Sequence, residues 1–268
     1  ISMIKLVATD IDGTILKKDF TFNPEIIEYI NKLSKDGIKV VLISGRMNES
    51  TIPIYNQLSL DTPIGSYQGG LVKLGKETLY EKCLDKKIAR EVINWAKEKK
   101  IHVNLYMNDV LYAEVDDEII RRYTNERNVH FVCKNFDEIE LDKVNKLLLI
   151  DFNDCDRITY AKDYLKEKYP DLHIVKSMNA FCEVCNGEAS KGDALNFLKK
   201  YFNISTEETL AIGDHNNDIP LLLAGGVKVA MGNGTDEIKK VADYVTDTVD
   251  NNGFIEAMER FVYNNAKL

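Results

Sequence analysis

Ile4-Lys5-Leu6-Val7-Ala8-Thr9 runs directly into Asp10-Ile11-Asp12-Gly13-Thr14, and the reading of this stretch decides the fold. Lys5 is the only charge in the apolar half, so residues 4–9 suit a strand buried on both faces of a parallel sheet. Two carboxylates, two residues apart, follow at once with a glycine behind them. A carboxylate in that place can act as a covalent nucleophile and form an aspartyl-phosphate, with the second aspartate beside it. Two nearby carboxylates repel, and a divalent cation relieves the repulsion, usually magnesium when phosphate oxygens complete its shell. Alone, Asp-x-Asp-Gly also suits a solvated turn, so the rest of the chain must weigh in.

The same order of apolar strand and polar cluster recurs on both sides. Asn23-Pro24 opens a helix with an N-cap residue and a proline at the first helical position; Ile26, Ile27, Ile30 and Leu33 give its apolar face, and Gly37 ends it. Residues 38–43 form a second apolar strand leading into Ser44-Gly45-Arg46, whose hydroxyl and backbone N–H groups suit phosphate oxygens. Lys191, in Ser190-Lys191-Gly192, stands where a helix should begin, and its ammonium could neutralise charge on a nucleophile and a phosphoryl group; a solvated first-turn lysine is the plain alternative. Residues 209–212 form another strand before Gly213-Asp214-His215-Asn216-Asn217-Asp218, which holds more carboxylates and amides than a simple turn needs. His215 reads as a solvated turn histidine. Residues 220–224 look helical and 227–230 strand-like. In sheets of this kind ligands bind at the carboxyl ends of the strands, and all these polar clusters fall there.

The middle has a different texture. An amphipathic helix is expected over residues 86–100, with Ile88, Val92, Ile93 and Ala96 on one face. Strand candidates follow at residues 102–107, 110–114, 146–151, 173–176 and 180–185, with a helix at 156–168. The chain is therefore expected to divide into residues 1–82 and 188–268, which together form an α/β, Rossmann-like parallel-sheet core, and residues 83–187, an inserted α+β domain. Ile1 and Ser2, ahead of Met3, are set aside as foreign to the natural start.

Composition bounds the function. The 268 residues are 44% hydrophobic, enough for one large or two modest buried cores. A net charge of −8 argues against a surface built to neutralise many nucleic-acid phosphates. No apolar run approaches about 18 residues and no secretory signal pattern is present, so neither membrane nor nucleic acid is expected as a partner, and the cytoplasm is the expected address. The five cysteines show no regular framework, which suits free thiols. Cys182 and Cys185 form a CxxC inside a strand, where a three-residue offset puts them on opposite faces, so they read as core packing rather than a zinc or redox site.

Taken in order, the clusters resemble the four motifs of the haloacid dehalogenase-like (HAD) superfamily, and its Cof-type phosphatases in particular. Asp10-Ile11-Asp12-Gly13-Thr14 matches the first, Ser44-Gly45-Arg46 the second, Lys191 the third, and Gly213-Asp214 with Asn217-Asp218 the fourth. Glu183 and Val229-Ala230-Met231-Gly232-Asn233 match further family positions. The resemblance spans nearly the whole chain and makes the insertion a cap. It implies a magnesium-dependent hydrolase of small phosphorylated metabolites, sugar phosphates foremost. Asp10 would attack phosphorus, while Asp12 would protonate the leaving alcohol and later activate water. Magnesium would be held by Asp10, the Asp12 main-chain carbonyl and Asp214. Asp218 would orient Lys191 or support the metal through water. Thr14, Ser44, Gly45, Arg46, Lys191 and Asn217 would contact the phosphoryl group or the rest of the substrate. Gln68-Gly69-Gly70 departs from the Asn-Gly of many relatives and leaves that contact open. A phosphoryl transferase or mutase would use the same residues. A receiver-type signalling module would be about half this length without the insertion, and a non-catalytic phosphate-binding protein would not need an intact nucleophile. Oligomeric state cannot be read from the sequence.

Overall fold

The computed structural model describes residues 3–266 and 268; Ile1 and Ser2, set aside above, lie outside the described residues, as does Lys267. The chain opens with β1 (Leu6–Thr9), α1 (Pro24–Lys35), β2 (Lys39–Ile43), α2 (Asn48–Gln57), β3 (Ile64–Ser66), β4 (Leu71–Leu74) and β5 (Glu77–Glu81). It continues through α3 (Lys86–Glu98), β6 (His102–Met107), β7 (Val110–Ala113), α4 (Glu118–Arg127), β8 (Val132–Cys133), β9 (Val144–Ile150), α5 (Cys155–Lys168), β10 (His173–Met178) and β11 (Phe181–Cys185). It closes with α6 (Lys191–Phe202), β12 (Thr209–Gly213), α7 (Ile219–Ala224), β13 (Val227–Ala230), α8 (Asp236–Val241), β14 (Tyr244–Val245) and α9 (Gly253–Met258).

Eight strands form one sheet in the order β14-β13-β12-β1-β2-β3-β4-β5. Pairing is parallel from β14 to β3, and the β4–β5 hairpin extends the edge antiparallel. The apolar runs read as doubly buried strands because helices cover both faces. Val7, Val40, Leu42 and Ile212 pack under Ile26, Ile30 and Leu33 of α1. Leu6, Ala8, Val41 and Ala211 pack on the other face against Ala194, Leu195 and Leu198 of α6. Each fully buried large aliphatic side chain contributes roughly 1.5–3 kcal/mol. Asn23 stands at the N-cap of α1, as expected, but its side chain does not cap it. Its Nδ2 instead donates to Val249 O at 3.2 Å and Asn252 Oδ1 at 2.7 Å, tying the helix start to the C-terminal segment.

The chain leaves β1 toward β2 on one side, and β12 comes to lie on the other. That reversal opens a crevice at the carboxyl ends of the two strands. A second sheet, β10-β11-β9-β6-β7-β8, is formed entirely by the inserted segment. α3 and α5 cover one face through Val92, Ile93, Ala96, Ile158, Ala161 and Leu165. On the other face Tyr106, Leu148, Ile150 and Phe181 meet α4 and, from the core, Met47, Tyr67 and Leu71. Cys182 joins the helix-covered cluster, and Cys185 is equally buried three residues on. Burial pushes both thiols up, as suits packing. Among the described residues no helix is long and apolar enough to cross a membrane.

Candidate active site

The register of the parallel strands delivers the site. Thr9 pairs with both Leu42 and Ile212, so Asp10, Ser44 and Asp214 leave the sheet at the same edge. Asp10 N donates to Ile212 O at 3.1 Å. Ile15 N and Leu16 N then donate to Ile11 O at 3.1 and 3.0 Å, closing a tight turn around the buried Ile11 and turning the flanking aspartates the other way. Gly13 has a φ of +82°, and a Cβ there would meet Asp214 Oδ2 at 2.2 Å. Only glycine satisfies both demands.

Lys191 is the first residue of α6. Ser190 caps that helix in a reciprocal box with Asp193, the two bonds being 3.1 and 3.0 Å. A cation at a helix N-terminus opposes the helix dipole, and here two carboxylates offset it. Lys191 Nζ donates to Asp10 Oδ1 at 2.8 Å and to Asp218 Oδ1 at 2.5 Å, all within buried surroundings. The other oxygen of Asp218 accepts from Asp214 N at 2.9 Å and His215 N at 3.2 Å. Asp218 thus orients Lys191 and braces the fourth cluster at once. Burial, followed by the charge of Asp218, raises the Asp10 carboxyl to about 6 against the pull of Lys191. Asp214 is pushed well up by burial and by Asp10 and Asp218.

Asp12 has a different partner. Arg46 grips its carboxylate with two parallel bonds, Nε to Oδ2 at 2.7 Å and Nη2 to Oδ1 at 2.6 Å. Burial would raise this carboxyl, but the Arg46 hydrogen bonds and charge, with Arg127 behind them, hold it below the ordinary range. Arg46, expected among the phosphate contacts, is thus engaged on Asp12 in this structure. Thr14, expected beside it, instead directs its hydroxyl to Asp214 Oδ1 over a long 3.4 Å. Oxygens of Asp10, Asp214 and Asp218 lie within 4.8 Å of one another. The Asp12 carboxylate points away from that cluster to Arg46.

The second cluster forms a tight cradle. Ser44 is buried and its Oγ accepts from Arg46 N at 3.0 Å, which leaves its proton to donate elsewhere. A Cβ on Gly45 would meet Gln68 Nε2 at 2.3 Å. Gln68, left open by the sequence, is fully buried, and its Oε1 accepts from Asn217 Nδ2 at 3.0 Å. Its Nε2 has no partner among the described residues. Gln68 therefore belongs to the site. Lys146, on the core-facing side of β9, was not singled out from sequence. It pairs with Glu183 at 2.9 Å, donates to Gly45 O at 2.5 Å, and all but disappears from solvent. His215 is not the solvated turn residue expected. Its ring is half-buried, burial lowers the imidazole, and Nδ1 has no hydrogen-bond partner among the described residues.

A carboxylate held against a buried lysine, beside further carboxylates at the ends of parallel strands and beneath an inserted layer, is machinery for cleaving phosphate esters. The chain belongs to the haloacid dehalogenase-like hydrolases, whose family model matches residues 7–258, and it is a phosphatase. It is 30% identical to Bacillus subtilis phosphatase YwpJ, covering 97% of this chain and 100% of that one. It is 25% identical to B. subtilis 5-amino-6-(5-phospho-D-ribitylamino)uracil phosphatase YitU, covering 96% and 97% of the two chains. The crystal structure of TM0651 from Thermotoga maritima superposes with a TM-score of 0.81 at 31% identity over 96% of this chain and 97% of that one.

Proposed function

We propose that this phosphatase hydrolyses small phosphorylated metabolites, with sugar phosphates as the leading class, through an aspartyl-phosphate on Asp10. The observation that carries the reading is Lys191, buried and hydrogen-bonded to both Asp10 and Asp218. Asp10 attacks phosphorus, the bond from phosphorus to the ester oxygen breaks, and Asp12 gives its proton to the departing oxygen. Water then attacks the aspartyl-phosphate, Asp12 takes the water's proton, and orthophosphate leaves. Asp12 in its Arg46 clamp is the ionised form the second step needs; loading it for the first requires one arm of Arg46 to let go. Lys191, Ser44 and the amides around Gly45 offset charge on the phosphoryl oxygens, with Gln68 and Asn217 beside them.

The donor set suits magnesium. It is all oxygen, and Asp10 and Asp214 are raised by burial and then by repulsion from neighbouring carboxylates, a repulsion that a divalent cation relieves. Asp10 and Asp214 would hold the ion, with the Asp12 carbonyl as the third protein ligand and Asp218 behind. When bound, magnesium would neutralise charge on the phosphoryl group. Gly13→Ala drives a methyl into Asp214 and is expected to weaken magnesium binding at least about tenfold, an effect of the size seen when ligand-supporting groups are lost. Isothermal titration with magnesium checks it, and unchanged affinity would remove Asp214 from the ligands.

The leaving-group class is supported by the polar inner face of the cap. Lys146, Glu183 and Asn104 lie there buried, and Gln68 Nε2, across from them, is a donor with no partner among the described residues. A hydroxyl-rich leaving group satisfies such atoms; an apolar one strands them. The ribityl phosphate in the name of the B. subtilis relative is of that kind. Free thiols on all five cysteines suit the cytoplasm. The test is phosphate release from a panel of phosphorylated metabolites. Sugar phosphates should lead, with activity lost in chelator and restored by magnesium. No release from any member, or full activity in chelator, would sink the proposal.

A further inference from the structure

Asn108 and Asp109 form the tip of the β6–β7 hairpin, both left-handed with φ of 52° and 59°, as a two-residue hairpin turn demands. The tip is pinned from beneath: Asp109 N donates to Asn145 Oδ1 at 3.0 Å and Asn108 N to Lys143 O at 3.2 Å. From there Asp109 reaches out of the cap and into the core. Its Oδ1 accepts from Asn48 N, the first amide of α2, at 3.1 Å, and also from the Tyr67 hydroxyl. The residue at the N-cap of α2 is Met47, which makes no side-chain cap. A core helix is therefore capped by a carboxylate that belongs to the other domain.

The two core segments it grips are those that carry site groups. Asn48 lies two residues after Arg46, the clamp on Asp12. Tyr67 N donates to Arg46 O at 2.9 Å and Gln68 N to Ser44 O at 3.1 Å, lacing the segments together. Tyr67 and Gln68 are both left-handed, with φ of 52° and 60°, a conformation that side chains as large as tyrosine keep only where their surroundings enforce it. The core backbone bonds hold the turn, and the cap adds its own grip on the Tyr67 side chain: Asp109 on its hydroxyl, and Tyr106 edge-on to its ring with centroids 5.6 Å apart.

We propose that Asp109 is a positioning residue for the phosphatase reaction, a latch carried by the cap that holds the Arg46–Asn48 and Tyr67–Gln68 segments in their working geometry when the cap is closed. A closed cap then completes the site, and an open one loosens Arg46 and Gln68 together.

The experiment compares Asp109→Ala, Asp109→Asn and Tyr67→Phe with the wild type, using p-nitrophenyl phosphate with magnesium. Asp109→Ala should lower kcat/KM by about tenfold or more. Asp109→Asn keeps the accepting oxygen and should stay within about threefold of wild type. Tyr67→Phe should fall between them, and the double variant Asp109→Ala/Tyr67→Phe should be no worse than Asp109→Ala alone. Hydrogen exchange at the Asn48 amide should quicken in Asp109→Ala and not in Asp109→Asn. A cap that merely stabilises the fold would lower Tm and leave kcat/KM unmoved. Wild-type kcat/KM in Asp109→Ala, equal losses in the Ala and Asn variants, or losses that multiply in the double variant would each overturn the latch. Should Asp109→Ala fail to fold, Tyr67→Phe decides: unchanged kcat/KM overturns it and a fall at unchanged Tm supports it. The kinetic arm rests on the functional reading above. Wild-type turnover and its loss in Asp10→Asn test that reading, whereas amide exchange at Asn48 tests the latch with no substrate present.

Discussion

Asp10→Asn is expected to leave less than about one part in ten thousand of the wild-type activity, the scale on which removal of a nucleophile acts, while the protein melts at the wild-type temperature or above it. The amide cannot form the acyl phosphate that the reaction passes through. The fold should tolerate the change because Asp10 is a poorly accommodated charge. Burial and Asp218 push its carboxyl up to about 6, and only Lys191 pulls against them. Replacing that charge with a neutral isostere removes repulsion from Asp214 and Asp218 and leaves Lys191 its bond to Asp218. Initial rates on an aryl phosphate and a thermal melt check both halves. Retained turnover would overturn the assignment of the nucleophile.

Lys191→Met is expected to damage both catalysis and folding. The loss of its charge on the phosphoryl group lowers kcat by at least about a hundredfold. It also leaves two buried carboxylates without their cation, which costs about 3–5 kcal/mol at neutral pH. The pH dependence has a definite sign. Asp10 already titrates in the folded state near 6, above its ordinary 3.8, and loss of Lys191 raises it further. A carboxyl raised by folding holds its proton in the native state, so the variant is less penalised at low pH and loses stability as pH climbs through the raised value. Denaturant melts at about pH 5 and about pH 7.5 should show the gap to wild type widening at the higher pH. A gap independent of pH would mean that Asp10 and Lys191 are not coupled as their 2.8 Å contact implies.

Much of this architecture was legible because the core strands are short, apolar and each end on a polar cluster. Residues 4–9, 38–43 and 209–212 became β1, β2 and β12 with ends shifted by two residues or fewer, and their parallel register alone brings Asp10, Ser44 and Asp214 together. Four helices escaped: α2, α4, α8 and α9, of which the two longer ones show why. α2 carries Pro53 inside it, and α4 has the polar sequence Glu118–Arg127 with few apolar residues. Helical periodicity is faint in both, and their stability comes from packing and from caps such as Asp117 on Ile119 N and Ile120 N. What could not be read was which side chain turns to which. Arg46 and Asp12 are 34 residues apart, and no spacing rule distinguishes an arginine facing phosphate from one facing a carboxylate. Lys146 did leave a mark, a single lysine within the otherwise almost apolar run Val144–Ile150. Such a residue reads equally as the solvated side of a strand until the sheet is seen lying face-down on the core.

The uneven placement of the cysteines has a practical consequence. All five lie between residues 83 and 185, and the parallel-sheet part of the chain has none. Cys182 and Cys185 are sealed inside, Cys83 is half-buried with its thiol pushed up to about 11 by burial, and Cys133 and Cys155 face the solvent. A maleimide dye therefore decorates the inserted domain and spares the parallel-sheet core. The chain thus carries its own attachment points for a probe of cap position, with no cysteine to add or remove.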